Sequence, residues 1–311
     1  MRKTFTAGIL SLMVSTGLTS GANAAACSIS GTTSFGYTGA VETCDVTQAG
    51  TYGVTAIGGN GGEWGAEISG NIQFVSGEIL TVIVGQYGYA SSNPSNAAGG
   101  GGSFVFQGTG AGATPLIVGG GGGGNTDTGG TISTTGSYAS LTPNGTADAS
   151  GIYAGGTNGG NGSGYTASAG YFAGDQGYGY IEVLSNPDPS GSYNGTFGGG
   201  GRAGGYGGGG GGGYSGGGGG AEDAGNIYGY GGGGGGSYII SSATNINKQN
   251  YNSFNYGLNG EILFSYVSPL SSQSGSPGPT SIPEPSSLAI LMAALVGLGM
   301  AVRYKRNWGR R

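Results

Sequence analysis

Two short groups of acidic residues are the first features of this sequence that could carry out chemistry. Glu63 and Glu67 lie four residues apart, and Glu222 is followed directly by Asp223. Paired carboxylates of this kind serve glycoside hydrolases, where one acts as general acid and the other as base or nucleophile. However, residues 25–282 hold 13 acidic residues, so that pairs arise by chance. We therefore interpret these carboxylates as solvated loop charges.

Other catalytic and metal sites lack the residues that they need. The chain contains no histidine, which removes the usual general base and the Ser-His-Asp and Cys-His pairs. Its glycine runs lack the Lys-Ser/Thr ending of a phosphate-binding loop. The segment GGNGGE at 58–63 is similar to calcium-binding glycine–aspartate repeats, but it occurs once and ends in Glu. We predict no enzyme, no metal site and no cofactor.

The N-terminus has the parts of a signal peptide. Arg2 and Lys3 precede a short apolar run over 7–18, and small residues at 22–24 suit cleavage between Ala24 and Ala25 by signal peptidase. Lipidation of Cys27 is the alternative, although the usual leucine three residues earlier is absent. In an oxidising compartment Cys27 and Cys44, the only two cysteines, are expected to form a disulfide, which lipidation of Cys27 would exclude.

The charge distribution excludes nucleic acid as a partner. Residues 25–282 carry 2 basic and 13 acidic residues, a formal net charge of −11. Proteins that bind DNA or RNA present a basic surface to the phosphates, and this region has the opposite sign.

Short strands separated by glycine-rich segments predict an all-β domain. Alternating or continuously apolar patterns, which are typical of half-buried and fully buried strands, recur from residue 51 to 267. No helical period with capping signals occurs before residue 286. The predicted strands are Thr51–Ile57, Asn71–Val75, Glu78–Val84, Ser103–Gln107, Pro115–Val118, Tyr178–Leu184, Ser237–Ile240 and Glu261–Val267.

Six glycine runs lie between these strands, at 99–102, 119–124, 198–201, 207–213, 216–220 and 231–236. Flexible linkers are one interpretation, since ordering glycine costs the most backbone entropy. The alternative is an ordered bundle of extended threefold helices, in which inter-segment N–H···O=C bonds replace water. Tyrosines that follow or precede the runs would cover such a layer; they are Tyr206, Tyr214, Tyr230 and Tyr238.

An ordered series of motifs resembles the glycine-rich extracellular domain of anaplastic lymphoma kinase and leukocyte tyrosine kinase. The series comprises GTYGVTAIGGNGG (50–62), EILTVIVGQYG (78–88), the run and strand ending at 107, PLIVGGGGGG (115–124) and the later runs, with an unmatched insert near 125–196. The resemblance implies a jelly-roll-like β-sandwich with packed polyglycine helices. The receptor domains contain more cysteine, so we transfer the fold without the cytokine-binding surface. No kinase motif is present, and a kinase activity does not transfer.

The C-terminal region combines a polar segment, an apolar run and a basic end. Residues 268–282 are polar and contain proline, as in a stalk. The 15 uncharged residues from 288 to 302 would span about 23 Å as a helix, short of the roughly 30 Å hydrocarbon core. Flanking residues would extend the span to about 286–304. Arg303, Lys305 and Arg306 follow the positive-inside rule, which argues against the alternative of a buried core helix.

The tripeptide Pro283-Glu284-Pro285, the apolar run and the basic end together closely resemble the PEP-CTERM sorting signal of Gram-negative bacteria. The resemblance implies recognition by an exosortase, a membrane cysteine transpeptidase, with cleavage near the tripeptide and transfer to the cell surface or exopolysaccharide. The C-terminal helix would then hold the precursor in the membrane only transiently.

We therefore predict four segments: a signal peptide at 1–24, a glycine-rich β-domain at 25–267, a stalk at 268–282 and a sorting signal at 283–307. The expected function is that of an exported, exosortase-processed bacterial surface or matrix protein, structural or adhesive, that contacts exopolysaccharide. Two alternatives stay open, a secreted carbohydrate-active enzyme and a soluble-ligand binding module.

Overall fold

A computed structural model describes residues 25–27, 31–88, 97–127, 133–134, 136–164, 173–188, 196–222, 229–251 and 257–270. These residues are mostly β-sheet, which agrees with the all-β prediction. The strands are β1 (Ala25–Ala26), β2 (Thr32–Gly36), β3 (Glu42–Asp45), β4 (Gly50–Ile57), β5 (Ala66–Phe74), β6 (Ile79–Ile83), β7 (Ser103–Gln107), β8 (Thr114–Gly119), β9 (Thr126–Asp127), β10 (Ser133–Thr134), β11 (Tyr238–Ile239), β12 (Thr244–Asn250) and β13 (Glu261–Ser268). The helices are the 3₁₀ turn η1 (Gly110–Gly112) and the α-helix α1 (Tyr180–Ser185).

Two sheets enclose the main hydrophobic core. One has six strands in the order β1-β3-β6-β7-β8-β11, and the other has five in the order β12-β5-β4-β13-β2. All pairings in both are antiparallel except β1 with β3. Alternation along β4 explains how the core is filled, because Tyr52, Val54 and Ala56 are fully buried while the residues between them are partly exposed. β9 and β10 pair separately.

The six-stranded sheet buries side chains on both of its faces. In β7, Val105 contributes to the core between the sheets, whereas Phe104 and Phe106 contribute to a second, smaller cluster with Val183 and Phe197. Burial on both faces accounts for the continuously apolar sequences of β6 and β7. α1 covers the second cluster, because it contributes the buried side chain of Val183 to it.

The predicted strand Tyr178–Leu184 is wrong, because residues 180–185 form α1. Tyr180, Val183 and Leu184 all contribute to the second cluster, and the spacing i, i+3, i+4 is that of one helical face. The stretch YGYIEVL is too short to distinguish the two-residue period of a strand from the 3.6-residue period of a helix. Its alternation therefore resembles that of a strand. Six strands were not predicted from the sequence, namely β1, β2, β3, β9, β10 and β12, and the last of these (TNINKQN) has no apolar alternation.

The first described residues are fixed to the six-stranded sheet. β1 pairs in parallel with β3, and the Cys27 backbone N–H donates to the Asp45 carbonyl at 3.0 Å. Cys27 and Cys44 form a disulfide and are both fully buried. A disulfide at Cys27 leaves no thiol there for a lipid.

All six glycine runs are buried, and their backbones bond to one another. The run 207–213 shows the pattern most clearly, since residues three apart donate to the same neighbouring segment. The donor–acceptor pairs are Gly208–Tyr230 and Gly211–Gly233, Gly209–Ala97 and Gly212–Gly100, and Gly210–Asp175 and Gly213–Tyr178, all at 2.8–3.2 Å. A repeat of three residues places successive N–H groups on three sides of the segment.

The carbonyl groups of the same run accept hydrogen bonds from three further segments. The pairs, each with the N–H donor first and the carbonyl acceptor second, are Gly217–Gly211 and Gly220–Gly208, Gly121–Gly212 and Gly124–Gly209, and Gly201–Gly210, at 2.7–2.8 Å. Six chain segments therefore surround 207–213, and we call this assembly the glycine array. It satisfies the buried backbone polar groups that a loop at this depth would otherwise leave without partners.

Described residues of the insert near 125–196 bond to the glycine runs. Thr146 donates its backbone N–H to the Gly234 carbonyl at 2.9 Å, and the Gly216 N–H donates to the Gly160 carbonyl at 3.0 Å. Segment 173–178 supplies one of the six neighbours of the central run. The insert, which has no counterpart in the motif series, thus contributes partners for the runs on either side of it.

The chain divides into two units, Met1–Pro269 and Leu270–Arg311. The predicted signal peptide, most of the stalk and the whole sorting signal lie outside the described residues. Within the part of the chain that the structure describes, no helix is long and apolar enough to cross a membrane.

Candidate functional site

Three tyrosines form a stacked row beside the glycine array. The rings of Tyr180 and Tyr214 stack with centroids 4.9 Å apart and planes 27° apart, and those of Tyr214 and Tyr238 with values of 4.5 Å and 17°. The three residues come from α1, from the position directly after the run 207–213, and from β11. Each is half-buried, and all three pack against the second cluster. We call this feature the tyrosine row.

The central ring of the tyrosine row, that of Tyr214, remains uncharged at neutral pH. Burial, followed by the neighbouring phenols of Tyr180 and Tyr238, raises the pKa of Tyr214 above its ordinary value of 10.0. The ring stacking adds about 0.5–1.5 kcal/mol per pair beyond area burial. The row therefore offers aromatic surface and phenolic hydroxyl groups at fixed positions.

A groove of about 340 Å³ lies at the Tyr180 end of the row, between α1 and η1. One wall is formed by side chains of α1, and the other by residues 111–115. Its lining consists of Ala111, Ala113, Thr114, Pro115, Tyr180, Ile181, Leu184 and Ser185, with no Asp, Glu, Lys or Arg among them. Ile181 is 58% exposed, a high value for a large apolar side chain. The groove combines apolar walls, one aromatic ring and two aliphatic hydroxyl groups.

The candidate carboxylates that the structure describes have separate partners. Glu67 accepts a hydrogen bond from the Gln249 amide at 3.0 Å on the outer face of β5. Glu63 belongs to the segment that bonds to the glycine array, where its N–H donates to the Gly123 carbonyl at 3.0 Å. Glu222 lies in an isolated bridge with Gly229, and Asp223 is outside the described residues.

Two further aspartates have structural partners that the sequence did not indicate. Asp148 is 4% exposed, and its carboxylate accepts hydrogen bonds from the backbone N–H groups of Ser150, Tyr153 and Ala221. Asp175 forms an ion pair with Arg202 at 3.2 Å. No group of three or more potential metal ligands occurs among the described residues. In the calcium-like segment, Asn60 instead accepts the Gly65 N–H at 3.1 Å.

The half-buried position of Glu63 predicts a specific pH dependence of stability. Burial raises the pKa of Glu63 above its ordinary value of 4.5, so that the folded state holds its proton to higher pH than the unfolded state. The free energy of unfolding should therefore fall as pH rises from 4.5 through the raised pKa. Glu63→Gln should reduce this slope in urea titrations at a series of pH values. Glu67→Gln, on the sheet surface, is the control, and an unchanged slope in Glu63→Gln would contradict the assignment.

Glu42 and Asp175 also contribute to this slope, because burial raises the pKa of both carboxyl groups. For Asp175 the Arg202 guanidinium acts in the opposite direction without cancelling the effect of burial. Their contributions remain in the Glu63 variant, so the expected result is a shallower slope rather than its loss.

In a comparison with known protein families, residues 281–306 match the PEP-CTERM protein-sorting motif. This range contains Pro283, Glu284 and Pro285 together with the apolar run and the basic residues Arg303, Lys305 and Arg306. No curated protein gives a significant match to the chain. The motif indicates an exported protein that is processed by an exosortase and sent to the surface or outside the cell. The resemblance to the receptor glycine-rich domain has no support from these comparisons.

Proposed function

We propose that the mature protein is a structural and adhesive component of the cell surface or extracellular matrix, and that it contacts exopolysaccharide. The sorting motif at 281–306 carries the proposal, because it directs the β-domain to the compartment where such polymers are found. The tyrosine row and the groove support it, since they offer aromatic and hydroxyl contacts and the groove has no acidic or basic side chain from Asp, Glu, Lys or Arg in its lining.

The glycine array suits a structural role. We propose that its runs are extended polyglycine helices with three residues per turn, packed beside a jelly-roll-like sandwich of the two sheets. The three-residue hydrogen-bond repeat of 207–213 and the burial of all six runs support this description. A densely bonded backbone array would resist proteolysis outside the cell, because cleavage requires local opening.

An enzymatic role is not favoured, because the described candidates Glu63, Glu67 and Glu222 each have different partners. A carbohydrate-active enzyme would place two of them across one groove at about 5–9.5 Å, whereas the groove beside Tyr180 has no carboxylate in its lining. Binding without turnover is therefore the proposed activity.

The adhesive role predicts that the mature protein, recovered from the cell surface, is retained on a column of the host's own exopolysaccharide. Bovine serum albumin, another acidic protein, serves as the control for nonspecific retention. Retention that persists at raised ionic strength would support contact through the uncharged groups, since salt screens exposed charges beyond about 10 Å at 0.1 M. Elution of the mature protein together with albumin would contradict the proposal.

A further inference from the structure

We propose that the groove between α1 and η1 binds a neutral sugar ring of a polysaccharide chain. The inference rests on the proposed function and assigns both a place and a sugar chemistry to the polysaccharide contact. The groove is lined by Tyr180, Ile181 and Leu184 on one side and by residues 111–115 on the other.

The walls of the groove match the two kinds of surface that a sugar ring presents. A pyranose has apolar C–H faces and a rim of hydroxyl groups. Tyr180, Ile181 and Leu184 supply apolar surface for a face, while Thr114 and Ser185 supply hydroxyl groups for the rim. Ser185 donates its own proton to the Glu182 carbonyl at 2.9 Å, so its oxygen remains an acceptor for a sugar hydroxyl. The volume of about 340 Å³ lies at the small end of ligand sites.

The aromatic wall is held rigid before any ligand arrives. Tyr180 stacks on Tyr214 at 4.9 Å, and the Phe106 ring lies 6.5 Å away on a plane tilted by 44°. The Tyr180 backbone N–H also donates to the Tyr214 carbonyl at 3.1 Å. A contact surface that is already ordered loses little side-chain entropy on binding.

Charge selects a neutral sugar over an acidic one. No side chain in the groove lining carries a charge, and residues 25–282 have a formal net charge of −11. An anionic polymer would be repelled by the acidic surroundings and would find no cation in the groove. An acidic peptide is disfavoured for the same reason.

The exposure of Ile181 indicates which substitution tests the proposal. Ile181 is 58% exposed on α1, so an aspartate at this position can be accommodated without disturbing the core. Ile152 is 66% exposed and does not line the groove, so Ile152→Asp introduces the same charge elsewhere. The mature wild-type protein and both variants are compared by affinity electrophoresis in gels containing hydroxyethyl cellulose, a neutral polymer, or carboxymethyl cellulose, an anionic one. Cellohexaose serves as the soluble competitor.

We expect the neutral gel to retard the wild type and Ile152→Asp equally, with Ile181→Asp bound at least tenfold more weakly at an unchanged thermal midpoint. Cellohexaose should release the retarded proteins, and the anionic gel should retard them less.

Equal retardation of both variants would overturn the proposal, as would tighter binding to the anionic polymer. A change in sedimentation confined to Ile181→Asp, without a change in retardation, would instead identify a surface between two copies. Failure in the neutral gel combined with retention on the host's exopolysaccharide would overturn only the groove assignment, whereas failure in both would remove the proposed function too.

Discussion

Gly211→Ala should lower the free energy of unfolding by about 3 kcal/mol or more, the upper range for overpacking a close-packed interior. A Cβ atom on Gly211 would meet the Gly121 carbonyl oxygen and the Gly235 backbone nitrogen at less than 3.0 Å. Both are backbone atoms of neighbouring segments, so no side chain can rotate away. The same two atoms form a 2.9 Å hydrogen bond, and the added methyl group would separate them as well. Urea unfolding monitored by circular dichroism measures the change.

Gly36→Ala is the matched control for this substitution. Gly36 lies in β2 at the edge of the five-stranded sheet, and a Cβ atom there would have no neighbour within 4 Å. Its stability should stay within about 0.5 kcal/mol of the wild type, as for most surface changes. Equal stabilities for Gly211→Ala and Gly36→Ala would show that the runs are not packed against each other and would contradict the glycine array.

Removal of the disulfide by the double substitution Cys27→Ala and Cys44→Ala should cost about 3 kcal/mol in the chain-entropy model. The two cysteines are separated by 17 residues in sequence, and both are fully buried. The bond fixes the segment of β1 to β3, so its loss also frees the parallel β1–β3 pairing. The midpoint of chemical unfolding should fall accordingly.

A reducing agent distinguishes loss of the bond from loss of side-chain volume. Dithiothreitol should lower the unfolding midpoint of the wild type towards that of the double variant, whose own midpoint should not respond. A wild-type midpoint that is insensitive to the reductant after complete thiol release would contradict the stabilising role of the disulfide.

The buried strands could be predicted because their side-chain pattern is imposed by the core. β7 was predicted with its exact bounds, and the strand over 51–57 begins one residue earlier in the structure, at Gly50. In contrast, β12 lies at a sheet edge, where six of its seven residues are exposed. An exposed edge strand does not require alternating apolar residues, so β12 could not be recognised from its sequence.

The helix α1 and the candidate site could not be predicted from the sequence, for a related reason. Whether YIEVLS forms a strand or a helix depends on the second cluster, on the outer face of the six-stranded sheet. The residues of this cluster lie far apart in the chain. The sequence did indicate that tyrosines accompany the glycine runs, but only Tyr214 and Tyr238 of the four named are found in the stacked row. Tyr230 contributes its carbonyl oxygen to the array instead. Glycine has no side-chain pattern at all, so the partner of each run is decided only in three dimensions.

Exosortase processing should remove the C-terminal sorting signal when the protein reaches its destination. Intact-mass measurement with C-terminal peptide mapping of the protein recovered from its native cell surface tests this. We expect a C-terminus at or near Pro283, Glu284 or Pro285, with the apolar run absent. Recovery of the chain in the membrane fraction with Arg311 still present would contradict exosortase processing and would indicate a permanent anchor.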